Sequence, residues 1–181
     1  MNGDGFADLY VANIGQNRLW LNNGDGTFSA REANTPIEES QWTTSCAIVD
    51  LDGDLHPDLL DINYLAGDDV LSLVCPDRSG RPHSCLPAHF DAASDCILWN
   101  DLDGNFRSDG QSALAAVAPG KGLGVAIWLV EGTSEPRVLI ANDTMPNQLL
   151  MAGERAVQQR SVHDMAYSSG VALNGAGKAE G

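Results

Sequence analysis

The stretch "DLDGDLHPD", residues 50–58, carries four aspartates: Asp50, Asp52, Asp54 and Asp58. Carboxylates about 4 Å apart repel by roughly 1–4 kcal/mol per pair, depending on the dielectric between them. A chain that crowds them this closely needs a shared counterion. Their spacing is D-x-D-x-D-x-x-x-D, positions 1, 3, 5 and 9 of a loop. In a tightly curled loop the alternate side chains turn inward, and the carbonyl of His56 at position 7 turns in with them. Several hard oxygens around one point suit Ca²⁺, which takes about 6–8 oxygen ligands. An EF-hand shares this spacing, and Asp61 falls at its position 12. Three features argue against that reading. Leu55 stands where an EF-hand has glycine, the flanks read as strands, and an earlier copy of the loop has Val11 at position 12.

Composition narrows the class. The chain has 181 residues, 43% of them hydrophobic, which is enough for a packed core and too many for a disordered chain. The net charge of −15 argues against nucleic acid or anionic lipid as a partner, since both need a basic face. Asp outnumbers Glu 18 to 7, and Asp is the acid of turns and calcium loops. No apolar run approaches the length of a membrane span, so no membrane insertion is expected. The first residues, "MNGDGFADLY", are polar and glycine-rich, unlike a signal peptide.

The acidic loop is one member of a repeat. "NGDGFADLYVAN" (2–13) lies over "DGDLHPDLLDIN" (52–63) without gaps, and "EGTSEPRVLIAN" (131–142) is a fainter third copy. "NRLWLNNGDGTF" (17–28) matches "DCILWNDLDGNF" (95–106), each ending in a D-G-x-F turn, and "NQLLMAGERAV" (147–157) keeps only the apolar run. Repeats at tens of residues signal solenoids, propellers or arrays. The segments between turns are short, apolar and bounded by Gly, Asp, Asn or Pro, so they read as strands. They are 18–22, 43–51, 57–65, 96–100, 124–130 and 137–142. Helical periodicity is best in "SALAAVA" (112–118) and is short there.

The expected fold is all-β: a β-propeller of four-stranded antiparallel blades, with about two and a half to three blades present. The chain 1–181 divides into a blade-one remnant (1–35, lacking its first strand), blade two (42–110, with an insertion at 66–95), blade three (120–163) and the start of a further blade (164–181). Blade two should hold strands 43–51, 57–65, 96–101 and 105–109. Blade three should hold 124–130, 137–142, 147–151 and 156–162. A propeller needs about four to eight blades to close, so the chain is expected to be part of a larger propeller whose remaining blades are its first partner.

These repeats resemble the FG-GAP/VCBS repeats of integrin-α-type propellers. More closely they resemble the bacterial ASPIC/UnbV group, akin to cartilage acidic protein. The stretches that carry the likeness are "DLDGDLHPDLLDINYLAGDD" (50–69), "NRLWLNNGDGTF" (17–28), "GKGLGVAI" (120–127) and "ANDTMPNQLL" (141–150). In that family the acidic loop joins the first two strands of a blade and holds Ca²⁺. The resemblance implies Asp50, Asp52, Asp54, Asp58 and the His56 carbonyl as ligands here. It also implies an extracellular, periplasmic or cell-surface module that binds a protein or glycan, as in adhesion, without catalysis. The alternative is part of a propeller-fold polysaccharide hydrolase or lyase. That would need a convergent set of His, Asp and Arg at the propeller axis, and every dense acidic pair is already explained by calcium.

This chain departs from the family pattern in each loop. Leu55 replaces the usual glycine, so positive φ is expected at a residue that strains there. Loop one lacks its first aspartate, leaving an incomplete set of Asn2, Asp4, Phe6 (by its carbonyl) and Asp8. Loop three has Leu129, Glu131, Thr133, Glu135 and Arg137 at positions 1, 3, 5, 7 and 9, and Arg137 supplies its own positive charge, so no metal is expected there.

The remaining candidates are cysteines and short motifs. Cys75 and Cys85 bracket a Pro/Gly-rich stretch of the insertion, and a disulfide between them is expected. Cys46 and Cys96 stand on two strands of blade two, where a second disulfide or buried thiols are the alternatives. Cys75, His83, Cys85 and His89 could be read as zinc ligands, but their spacing matches no common finger. "GKGLG" (120–124) lacks a full phosphate-loop pattern and reads as a turn before a strand. Asn142-Asp143-Thr144 fits a glycosylation sequon. Trp20, Trp42, Trp99 and Trp128 sit mostly in apolar strands, where they serve the core before they serve sugar stacking.

Overall fold

The computed structural model describes residues 1–31, 41–100, 105–108, 113–152 and 161–179. In chain order its elements begin with β1 (Leu9–Val11), β2 (Arg18–Asn22), β3 (Phe28–Arg31), β4 (Thr43–Val49) and β5 (Asp58–Asn63). The insertion contributes β6 (Leu65–Ala66), β7 (Val74–Pro76), β8 (Pro82–Ser84) and β9 (Asp91–Ala92). Then come β10 (Cys96–Asn100), β11 (Phe106–Ser108), β12 (Gly122–Leu129), β13 (Pro136–Asn142), β14 (Gln148–Ala152), β15 (Val162–Asp164) and one helical turn, α1 (Ala166–Ser169).

Three antiparallel meanders carry the fold. The first sheet is β1-β2-β3, the second β4-β5-β10-β11 and the third β12-β13-β14-β15. The architecture is all-β, built of antiparallel sheets of the kind that form propeller blades, two of them four-stranded and the first having three strands among the described residues. The second sheet offers one apolar face to the first sheet and the other to the third. Leu19, Tyr10 and Leu21 of the first sheet pack on Leu59, Leu98 and Phe106 of the second. The opposite face of the second sheet, with Leu60, Ile62, Ile97 and Trp99, packs on Val138, Ile140 and Leu150 of the third. All six residues of β5 are therefore buried. Strand "DLLDIN" has no polar-out, apolar-in alternation because both its faces are covered, and its Asp58, Asp61 and Asn63 are buried along with its aliphatic residues.

The seam between the second and third sheets is close enough to exclude side chains. A Cβ at Gly122 would overlap Cγ2 of Ile62, and one at Gly120 would stand 2.5 Å from Oδ1 of Asn142. Thr44 Oγ1 crosses the seam to donate to the Gly122 carbonyl at 2.6 Å. Gly122 thus lets the two sheets meet, while Gly120 makes room for Asn142 within the third sheet. Lys121 between them is buried, and its Nζ donates to the Pro87 carbonyl at 2.7 Å, fastening the insertion to the third sheet.

Several expectations need correction. The 66–95 insertion, in which no strand was placed above, forms two small antiparallel pairs, β6 with β9 and β7 with β8. Cys75 and Cys85 are bridged as expected, at a Cα separation of 5.0 Å. That bridge uses both thiols and overturns the zinc reading of Cys75, His83, Cys85 and His89. Cys46 and Cys96 are not bridged to each other. Both lie opposite Asp61 on the central strand β5, one on each side. They are two strand spacings apart, roughly 9–10 Å, beyond the reach of a disulfide. The sequon fails sterically: Asn142 is 1% exposed, and its Nδ2 donates to the Pro146 carbonyl and to Gln148. "SALAAVA" forms a turn over its described residues, closed by Val117 N–H donating to the Leu114 carbonyl. Of the two D-G-x-F turns, "NNGDGTF" closes as a hairpin end, with Asn23 N–H on the Thr27 carbonyl. The other, "NDLDGNF", falls largely on 101–104, outside the described residues. Within 164–181, α1 ends on Gly170 at φ 75, and Ala166 and Ala172 pack against Leu149 of the third sheet, which leaves the start of a further blade there an expectation.

Candidate metal centre

The 50–58 loop joins β4 to β5, so its ends are pinned by two adjacent strands of one sheet. Its interior is an Asx-rich curl. Asp50 accepts three backbone N–H bonds: Oδ1 from Gly53 at 2.7 Å and Asp54 at 3.2 Å, and Oδ2 from Leu55 at 2.9 Å. Asp52 Oδ1 accepts from Asp54 N–H, and Asp54 Oδ1 accepts from His56 N–H at 2.9 Å. Each carboxylate folds the chain back on itself, as short polar side chains do in turns. Gly53 takes φ 76 and Leu55 φ 70, so the positive φ expected at position 6 falls on a leucine whose side chain is 84% exposed. The first loop has Gly5 at the same place, at φ 87.

The curl gathers Asp50, Asp52 and Asp58, whose carboxylate oxygens lie within 4.8 Å of one another. Asp54 stands outside that group, its Oδ1 turned back to the loop backbone. The three carboxylates fit a hard divalent cation by charge and donor type. Asp58 also does work the sequence reading missed. Its Oδ1 accepts from Asn100 N–H and its Oδ2 from Leu51 N–H, each at 3.0 Å, while Asn100 Nδ2 donates to the Pro57 carbonyl. It therefore clasps the end of β10 to the start of β5. Asp8 makes the same clasp in the first sheet, with Asn22 N–H on Oδ1 and Asn22 Nδ2 on the Ala7 carbonyl. The signal was present in sequence: "LWLN" and "ILWN" both end in asparagine, Asn22 and Asn100. In the third sheet the matching pair is Arg137 and Ala152, and the clasp is gone.

Electrostatics follow from this placement. Asp58 is fully buried, and burial holds its carboxyl up at about 7; the Asn100 and Leu51 amides pull it down, and the charges of Asp52 and Asp54 push it up. A carboxylate in that position is stabilised as an anion when a cation joins it. Asp8 differs. It sits below the usual carboxylate range despite its burial, because the N-terminal ammonium of Met1 and the Asn22 amide bond to it.

The other two loops are poorer in ligands. In the first, Asn2 Nδ2 donates to Asp4 Oδ2 at 2.7 Å, and Phe6 N–H lies on Asp4 Oδ1, so Asp4 is spent on its own loop. The Phe6 ring lies against the D-G turn, where a Cβ on Gly24 would come 2.6 Å from it. In the third, Arg137 pairs with Glu135 at 3.2 Å, and Glu135 N–H donates to Thr133 Oγ1. Among the described residues, Asp50, Asp52 and Asp58 form the one group of three or more acidic, His or Cys side chains close enough to hold a metal ion.

Residues 1–60 match the FG-GAP-like repeat family, a span that includes the first sheet, β4 and the acidic loop. The matched span is about a third of the chain; FG-GAP repeats are propeller-type modules often involved in binding or adhesion. No curated protein matches the chain. Among the described residues no helix is long and apolar enough to cross a membrane.

Proposed function

We propose that this chain is a calcium-stabilised, extracellular β-propeller module that binds a protein or glycan and is not a catalyst, of the ASPIC/UnbV type within the FG-GAP families. The observation that carries the reading is the convergence of Asp50, Asp52 and Asp58 in a strand-to-strand loop of a chain that matches an FG-GAP-like repeat. The His56 carbonyl and, after a rotamer change, Asp54 complete the proposed ligand set. Calcium there offsets carboxylate repulsion and ties β4 to β5. A net charge of −15 favours a cation-dependent surface, and the Cys75–Cys85 bridge suits an oxidising compartment.

Calorimetric titration of CaCl₂ into EDTA-stripped protein tests the site. One ion per chain should bind the wild type, and Asp50→Asn or Asp52→Asn should weaken binding at least tenfold. Absence of binding to the wild type, or unchanged affinity in both variants, contradicts the assignment.

A further inference from the structure

The second sheet carries a buried aspartate where its neighbours carry aliphatic residues. Superposing the repeats places Asp61 of β5 on Val11 of β1 and on Ile140 of β13. Ile140 is fully buried, and Asp61 is only 3% exposed. The cross-strand row through Asp61 is Cys46–Asp61–Cys96, and the matching row of the third sheet is Val125–Ile140–Gln148. Asp61 lies on the face of β5 that meets the first sheet, where the Tyr10 hydroxyl donates to its Oδ2 at 3.1 Å. Its Oδ1 is buried with no hydrogen-bond partner.

The groups around Asp61 are Tyr10 from β1, Asn17 ahead of β2, Cys46 from β4, Cys96 from β10 and Asp95 ahead of β10. Neither ion pair among the described residues involves it. An ionised carboxylate in such a slot is costly, whereas a neutral carboxyl is tolerated. Burial accordingly holds its carboxyl up at about 6, with Tyr10 and Asn17 pulling the other way. Tyr10 is the link across the seam: its hydroxyl meets Asp61, and its carbonyl accepts from Cys46 Sγ at 3.6 Å.

We propose that Asp61 is a proton-operated latch between the first two sheets: the closed seam tolerates it protonated, whereas ionised its bare, buried Oδ1 favours opening the seam, even though the anion is the stronger acceptor for the Tyr10 hydroxyl. The Cys46 thiol lies under the latch and reports on it. The test is the protection of Cys46 from a thiol reagent, measured as its modification rate in unfolded protein divided by that in native protein, at pH 5 and pH 8. Peptide mapping separates Cys46 from Cys96. Dividing by the unfolded rate removes the pH dependence of a free thiol; burial and the charge of Asp61 hold the folded Cys46 thiol up, which raises protection at pH 8 and so works against the expected change, and repeating the measurement in calcium and in EDTA separates the latch from the acidic loop. Protection in the wild type should be at least tenfold greater at pH 5. In Asp61→Asn, or in Asp61→Ile if the amide variant does not fold, it should be the same at both pH values, while Asp95→Asn should keep the wild-type response. Equal wild-type protection at the two pH values, or an unchanged pH response in the Asp61 variants, overturns the latch.

Discussion

At the scale of single residues, elementary rules constrain three positions of this molecule tightly. Leu55 holds a left-handed φ of 70 in the acidic loop, a conformation that costs a non-glycine residue about 1–2 kcal/mol. Leu55→Gly should therefore raise stability by about 0.5–1 kcal/mol, the gain being trimmed by glycine's greater freedom when unfolded; urea denaturation measures it. Gly122 faces the opposite constraint. Gly122→Ala drives a methyl into Ile62 and should destabilise by about 1–3 kcal/mol on the same assay. Asp95 is the third. Its Oδ1 accepts from Asn63 N–H, where the first and third sheets use the amides Asn17 and Asn147 on Asn13 and Asn142. Burial raises the Asp95 carboxyl to about 7, with the charge of Asp61 adding to it, against about 3.9 in an unfolded chain. A raised folded pKa means this group's contribution is complete below about pH 4 and lost as pH rises through about 7. Asp95→Asn should thus be more stable than the wild type at pH 8 and no more stable at pH 4, read from melting curves at both.

At the scale of elements, the acidic loop shows what a sequence can and cannot display. Four aspartates at metal spacing were visible, and so was the strain at Leu55, because both are matters of residue type at a fixed offset. The second duty of Asp58, clasping β10, depends on a partner at Asn100 that only strand pairing brings near. Cys46 and Cys96 misled for the same reason: their two strands belong to one sheet, but β5 lies between them. The insertion misled differently. β7 and β8 are three residues each, exposed, and held by the Cys75–Cys85 bridge rather than by an apolar face, so periodicity had nothing to register. That bridge should stabilise its hairpin by about 2–3 kcal/mol. In a Cys75→Ser, Cys85→Ser variant, hydrogen exchange should accelerate across residues 74–84 and stay unchanged in β5. The third loop carries its own cation, Arg137, on Glu135. Arg137→Asp should destabilise the sheet by about 1 kcal/mol or less without creating a site, and a terbium soak of the unmutated protein should give no anomalous peak between residues 129 and 137.

At the scale of the whole molecule, three sheets stack face to face through shared apolar seams, and the acidic loops bridge strands of the sheets they belong to. The stack was legible because each repeat restates the same order of loop, strand and turn. The seams were not, since the residues that make them, Gly122 against Ile62 and Tyr10 against Asp61, lie far apart in the chain. The central claim is that a calcium ion in the 50–58 loop completes this architecture. It is tested most directly by thermal melting of the wild-type chain in EDTA and in calcium. With calcium held at about 100 times its Kd, folding should gain about 2.7 kcal/mol and the melting temperature should rise, and Asp52→Ala should lose most of that rise. Identical wild-type melting temperatures in the two buffers would contradict the account.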